Sequence, residues 1–277
     1  MLLSIEHRTI YRYSWPVGYT IQQCRLTPPS TQTQQVRNWQ LLSFAQMTPQ
    51  RDYHGNASHA LVIDIPHETI EIIAKGEVET GDYSGMQHPE NLPLAVYLRA
   101  TPLTEIDLAI LTFAQSFELP ANATDIDTVA NFYTLMHAVL AAMPYTKGAT
   151  NVTTSAIQAF DLKQGVCQDH AHVFIACCRA LNYPARYVSG YLFTADFSLM
   201  ETHAWAEVWC GEAKGWQGFD VSNGVQPDAL YVKLAVGLDY REACPISGMR
   251  QGGGTETMLV QVSVNQSQQH QLQQSQQ

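Results

Sequence analysis

The stretch Thr202-His-Ala-Trp-Ala-Glu-Val-Trp-Cys-Gly-Glu-Ala-Lys-Gly-Trp-Gln-Gly-Phe-Asp220 decides how the rest of the chain is read. In an extended strand, His203, Trp205, Glu207 and Trp209 share one side, and Ala204, Ala206, Val208 and Cys210 the other. Gly211 to Gly215 supply a turn, and Trp216–Val221 reads as the returning strand. With Trp209 opposite Trp216, counting back puts Trp205 opposite Asp220 and His203 opposite Ser222. Asp220 is then a diagonal neighbour of His203, roughly 7–8 Å away between backbones, and the two side chains can meet. A slip of two residues also suits the pair, whereas a slip of one puts them on opposite faces.

A hairpin that joins an imidazole to a carboxylate needs a nucleophile to serve. Gly165-Val-Cys-Gln-Asp-His-Ala-His172 offers one, because Gly165 breaks the chain just before a helix expected over Cys167–Leu181. The free N–H groups and the dipole at that helix start favour a thiolate on Cys167. The same N–H groups can receive the oxyanion formed when the sulfur attacks a carbonyl. Asp220 would then fix one ring nitrogen of His203, leaving the other to take the thiol proton. Each residue alone reads as ordinary: a buried cysteine, a strand histidine, a turn acid. Their matched parity favours a Cys–His–Asp set in the order 167, 203, 220.

Working outward, the first hundred residues read as an antiparallel β domain. Ile5–Tyr13 alternates until Trp15-Pro16 stops it, Trp39–Phe44 and Ala60–Ile65 are short runs, and Glu68–Val78 is a longer one. Pro28-Pro29, His54-Gly55-Asn56 and Gly81-Asp82 punctuate them as turns. Helical spacing then appears over Thr104–Leu119 with Thr104 as N-cap, over Asp125–Met143, and over Ser155–Leu162 with a Ser155/Gln158 capping box. Strands follow over Arg186–Phe193, His203–Cys210, Trp216–Val221 and Met258–Val264. Helices followed by strands give an α+β class, with domains at 1–100 and 101–264. Asn265–Gln277 holds eight Gln in thirteen residues, too few apolar groups to offset chain entropy, and is expected to be a disordered tail.

Composition narrows the function classes. The 277 residues carry 15 Lys+Arg against 25 Asp+Glu, a net charge of −10 with no basic cluster, which argues against nucleic acid and polybasic membrane attachment. No stretch approaches a membrane span and the start lacks a signal-peptide pattern, so a cytoplasmic protein is expected. Six dispersed cysteines form no disulfide framework and should be reduced. Cys167, His170 and His172 invite a metal reading, but their offsets of three and five lack the i,i+4 pair of helical zinc ligands, so no metal is expected.

With those segments in hand, the chain resembles the bacterial branch of the transglutaminase-like superfamily, within the papain-like cysteine enzymes. Tyr11–Leu26 and Asp52–Asn56 are similar to its N-terminal β domain; Pro144–Thr150, Ile157–Arg179, Pro184–Tyr191 and His203–Gly224 are similar to its core. Gly237–Pro245 and Gly252–Val264 match its closing turn and last strand. The resemblance implies helices packed on an antiparallel sheet and a Cys–His–Asp acyl-transfer centre, which lands on Cys167, His203 and Asp220. One departure is Asp220-Val221-Ser222 where the family often has Asp-Pro-Thr.

The expectation is cysteine-dependent hydrolysis of an amide or isopeptide in a peptide or protein, without a cofactor. No calcium loop of the D-x-D-x-D-G type favours crosslinking. Amine transfer and a catalytically idle peptide-binding module are the alternatives. Family position also puts Tyr145 near the thiol as an oxyanion donor, against a core tyrosine. Trp205 and Trp209 either wall a substrate groove or join Trp216 in a core cluster. Asp169 reads as a carboxylate stabilising the helix start.

Overall fold

In the computed structural model, which describes residues 1–81, 92–120, 122–194 and 202–267, one long strand organises the first sheet: β1 (Leu2–Cys24). Trp15-Pro16 does not end it. Instead, the pairing is interrupted there: the ladder to the later strand β5 (His67–Thr80) breaks between Arg12 and Val17, and Pro16, with no N–H to donate, sits in the gap. Strands β2 (Gln34–Leu42), β3 (Met47–Arg51) and β4 (Ala57–Ile63) complete the order β2-β5-β1-β4-β3. Alternate residues such as Leu3, Ile5, Ile70, Ile72 and Val78 fill its buried side.

A short 3-10 turn (Leu94–Leu98) leads to four helices, α1 (Leu108–Gln115), α2 (Asp125–Ala142), α3 (Ala156–Leu162) and α4 (Cys167–Ala180). Thr104 is not the cap of α1. Asp107 is, its carboxylate accepting from the Ile110 N–H at 2.9 Å, while Thr104 is buried and accepts from Arg179 Nη1 at 2.7 Å. The Ser155/Gln158 capping box forms as expected. Every residue of α4 from Gln168 to Arg179 is buried, so this is the central helix. It packs on β6 (Ala185–Leu192), β7 (Thr202–Trp209) and β8 (Trp216–Phe219) through Phe174, Cys177, Cys178, Ala204, Ala206 and Phe219. A further strand, β9 (Tyr231–Gly237), finishes an antiparallel sheet ordered β8-β7-β6-β9, followed by a single helical turn, α5 (Tyr240–Ala243).

The last two strands depart from expectation. Both β10 (Ile246–Gly252) and β11 (Glu256–Gln266) return to the first sheet and pair with β1, so the segment around 258–264 belongs to the N-terminal layer and not to the core. Asn265 and Gln266 are in β11, which corrects the start of the expected tail; the rest of that tail beyond Ser267, like Asp82 of the expected turn, lies outside the described residues. The two layers share one apolar cluster: Tyr191, Val232 and Leu234 from the second sheet are buried among Leu3, Ile5 and Val78 of the first. Among the described residues no helix is long and apolar enough to cross a membrane.

Candidate active site

The β7–β8 hairpin has the register read from the sequence. Trp209 faces Trp216, Val208 faces Gln217, Glu207 faces Gly218 and Ala206 faces Phe219. Regular pairing ends there, and Asp220 leaves the strand to bridge with Val225 across a tight loop closed by Gly224 at φ 64°. The loop folds Asn223 back under Asp220, which accepts from its Nδ2 at 2.6 Å and from its backbone N–H at 3.3 Å.

Asp220 is fully buried, and its Oδ2 lies 2.7 Å from His203 Nε2. Tyr231 donates its hydroxyl to the same oxygen at 2.7 Å. Burial would push this carboxyl up, but hydrogen bonds from His203, Tyr231 and Asn223 hold it below the ordinary carboxylate range. For His203, burial alone would depress the pKa; hydrogen bonds to Asp220 and to Cys167, with their charges, outweigh it and raise it to about 10. With Nε2 engaged by Asp220, Nδ1 is the nitrogen left for the sulfur. The imidazole is thus held by the carboxylate through one nitrogen, and Cys167 is among the groups that raise its pKa.

Cys167 is the first residue of α4, a free and partly exposed thiol. The N–H groups of a first helical turn have no intrahelical acceptor, which provides donors beside the sulfur. Asp169 braces this turn: its Oδ2 accepts from the Val166 N–H at 2.8 Å and from Thr150 Oγ1 at 2.6 Å. Burial raises the Asp169 pKa against those bonds. Its position is that of a structural acid at the helix start, as expected.

The remaining expectations sort by geometry. Tyr145 pairs with Gly165 in a parallel bridge and is half exposed, its ring 6.1 Å from that of His170. Trp205 lies in the interior, in a different cluster from Trp216. It is buried, stacked on His203 with centroids 6.3 Å apart and set edge-on to Tyr231 at 5.5 Å, so it backs the imidazole. Gly190, opposite His203 on β6, makes this possible, since a Cβ there would fall 2.6 Å from the indole. His170 is buried and held by the Met143 carbonyl at 2.6 Å and Ser222 Oγ at 3.0 Å; His172 is buried and accepts from the Tyr240 N–H at 3.2 Å. Burial lowers both, His172 to about 3. Among the described residues no three His, Cys, Asp or Glu side chains gather as metal ligands.

Sequence reading missed Tyr231 and Asn223. Asn223 was visible as an amide three residues after the acid, at a spacing that folds back in a turn. Tyr231 opens β9, a strand buried on both faces that carries no alternation to announce it.

Comparison with known proteins agrees with this architecture. Residues 3–79 match the family model described as the bacterial transglutaminase-like N-terminal region, and residues 117–221 match that of the transglutaminase-like superfamily. The chain belongs to this superfamily, in the bacterial branch that carries the N-terminal β region, a family of papain-like cysteine enzymes. An uncharacterized protein of Mycobacterium leprae is 28% identical over 289 residues, covering 95% of this chain and 98% of its own. An uncharacterized Mycobacterium tuberculosis protein is 29% identical, covering 94% and 91%. The crystal structure of a candidate cysteine protease from Cytophaga hutchinsonii has the same fold, with a TM-score of 0.75, 22% identity, and coverage of 96% of this chain and 91% of that one.

Proposed function

We propose that the protein is a cysteine-dependent acyl-transfer enzyme that hydrolyses an amide or isopeptide bond of a peptide or protein substrate. The observation that carries this reading is the 2.7 Å bond from His203 Nε2 to buried Asp220, with Cys167, partly exposed at the start of α4, among the groups that raise the ring's pKa. His203 accepts the proton of Cys167 through Nδ1, which leaves the sulfur as the attacking thiolate. The thiolate attacks the substrate carbonyl carbon, and the oxyanion is received by N–H groups at the start of α4. The carbon–nitrogen bond breaks, His203 gives its Nδ1 proton to the departing amine, and a thioester on Cys167 remains. Water then attacks that thioester, His203 accepts one of its protons, and the carboxylic acid leaves as the sulfur is restored.

The test has two parts. Iodoacetamide labelling of Cys167, read by peptide mass spectrometry, should persist well below pH 7; a profile like that of a free thiol overturns the reading in favour of an idle module. Incubation with cell extract should then leave an acyl adduct on Cys167 that water discharges. Discharge only onto an added primary amine would make the protein an amine-transferring enzyme instead.

A further inference from the structure

We propose that Tyr231 is a positioning residue for Asp220 and that Gln34, from the N-terminal sheet, holds Tyr231 in place, so that the first layer completes the site. This rests on the reading of Cys167, His203 and Asp220 given above. Tyr231 belongs to β9, the outer strand of the second sheet, whose free side carries backbone N–H and C=O groups that need partners. Side-chain amides from the first layer take the place of the missing strand. Gln34 accepts from the Lys233 N–H at 2.8 Å and donates to the Lys233 carbonyl at 2.9 Å, with a further bond to the Pro29 carbonyl at 2.7 Å. Asn56 does the same at Val236, accepting its N–H at 2.9 Å and donating to its carbonyl at 2.7 Å.

These clamps bracket Tyr231. Two residues after it, Gln34 grips Lys233; two residues before it, Thr80 Oγ1 donates to the Ala229 carbonyl at 2.5 Å. Gln34 and Thr80 are themselves partners in the β2–β5 ladder, so both grips come from one end of the first sheet. The Tyr231 ring, edge-on to Trp205, then delivers its hydroxyl to Asp220 Oδ2, the oxygen that meets His203. A buried carboxylate can swing to other donors unless they are fixed. Here the third donor is fixed by a different layer of the protein. The titratable groups around this carboxylate are His203 from β7, His170 from α4, Tyr231 from β9 with Asp228 before it, and Cys167 beyond His203.

The pH profile of Cys167 alkylation tests the inference in the full-length wild type, Tyr231→Phe, Gln34→Glu and the double variant, each checked for a cooperative melt. Tyr231→Phe keeps the ring and removes one bond that holds the carboxyl down, so the acid limb should move toward neutral and the rate at pH 5.5 should fall at least threefold. Gln34→Glu keeps the acceptor for the Lys233 N–H and loses the donor to its carbonyl, and should shift the limb the same way. The double variant should shift little beyond Tyr231→Phe, because both act through one contact. A wild-type limb left unmoved by Tyr231→Phe overturns the role of Tyr231 and leaves the enzyme reading standing. A shift in Tyr231→Phe with none in Gln34→Glu, or with additive effects, overturns the role of the first layer. A wild type that behaves as a free thiol removes the enzyme reading, and this inference falls with it.

Discussion

A Cβ built on Gly165 falls 2.7 Å from the Cβ of Asp169 and 2.9 Å from its Oδ2, so the residue two before Cys167 packs directly on the acid two after it. Asp169 cannot swing away freely, because the same Oδ2 holds the Val166 N–H and the Thr150 hydroxyl. The glycine is therefore a steric requirement of the first turn of α4. Gly165→Ala should cost ~1–3 kcal/mol, as overpacking of a tight site does. It should also slow Cys167 alkylation by displacing the helix start. Thermal melts and labelling rates on the same preparation check both; an unchanged melt would mean that Asp169 relaxes without loss.

How much of this was legible in the sequence depends on the range of the interaction. The Trp209–Trp216 register, the α4 start and the Ser155 cap are local, set by parity, a turn or a three-residue spacing, and each is where the residues put it. Partner choice is not local. Met258–Val264 reads as a strand, but nothing in its alternation says that β1 will pair with it, a relation between residues some 250 positions apart. Likewise, Thr104 and Asp107 are both good caps, and the competing claim of Arg179 on Thr104 decided between them. The Tyr231–Asp220 bond joins a strand without period to a loop, and only the assembled sheet brings them together.

Beneath the hairpin, Glu207 is fully buried between two cations, accepting from Arg186 Nε at 2.8 Å and paired with Lys233. Arg186 in turn lies 4.0 Å over the Trp216 ring. Removing one partner of such a group leaves charge in a poorly solvated place, which typically costs ~3–5 kcal/mol. Glu207→Ala should accordingly lower the denaturant midpoint sharply, and Glu207→Gln, which keeps the shape and loses the charge, should also lower it. Urea unfolding of both variants checks this; a Glu207→Gln midpoint equal to wild type would show that shape and not charge holds the three together.

Buried histidines make the fold sensitive to acid, and His7 and His172 are the two shifted most. Burial lowers His7 to about 4, and His172 to about 3 with help from Arg179. Both folded values lie below the unfolded value of 6.5, so protons favour the unfolded chain once pH drops under 6.5. The stability these neutral rings share is present above that pH and is lost as pH falls toward 4 and then 3. Each contributes a slope of up to ~1.4 kcal/mol per pH unit in that window. His7→Gln, placed to keep bonds to Tyr191 and Thr9, should show a shallower decline between pH 6.5 and 4.5 than the wild type. Parallel declines would mean that His7 already binds its proton when folded.

His203 gives the opposite slope on the alkaline side. Its folded pKa is raised to about 10, above the unfolded 6.5, because the bonds to Asp220 and Cys167 outweigh burial. The stability from the charged ring is therefore complete below pH 6.5 and lost as pH climbs through 10. Asp220 is shifted downward, so the carboxylate side of the pair persists through mild acid. Asp220→Asn removes the charge while keeping the shape. The gap in melting temperature between wild type and Asp220→Asn should be widest near pH 6 and should narrow steadily toward pH 10. In the same variant, alkylation of Cys167 at pH 6 should fall by about 10²-fold, the scale of a lost general acid–base partner. A gap that stays constant from pH 6 to pH 10 would mean that His203 is neutral throughout, and that the sulfur beside it is an ordinary thiol.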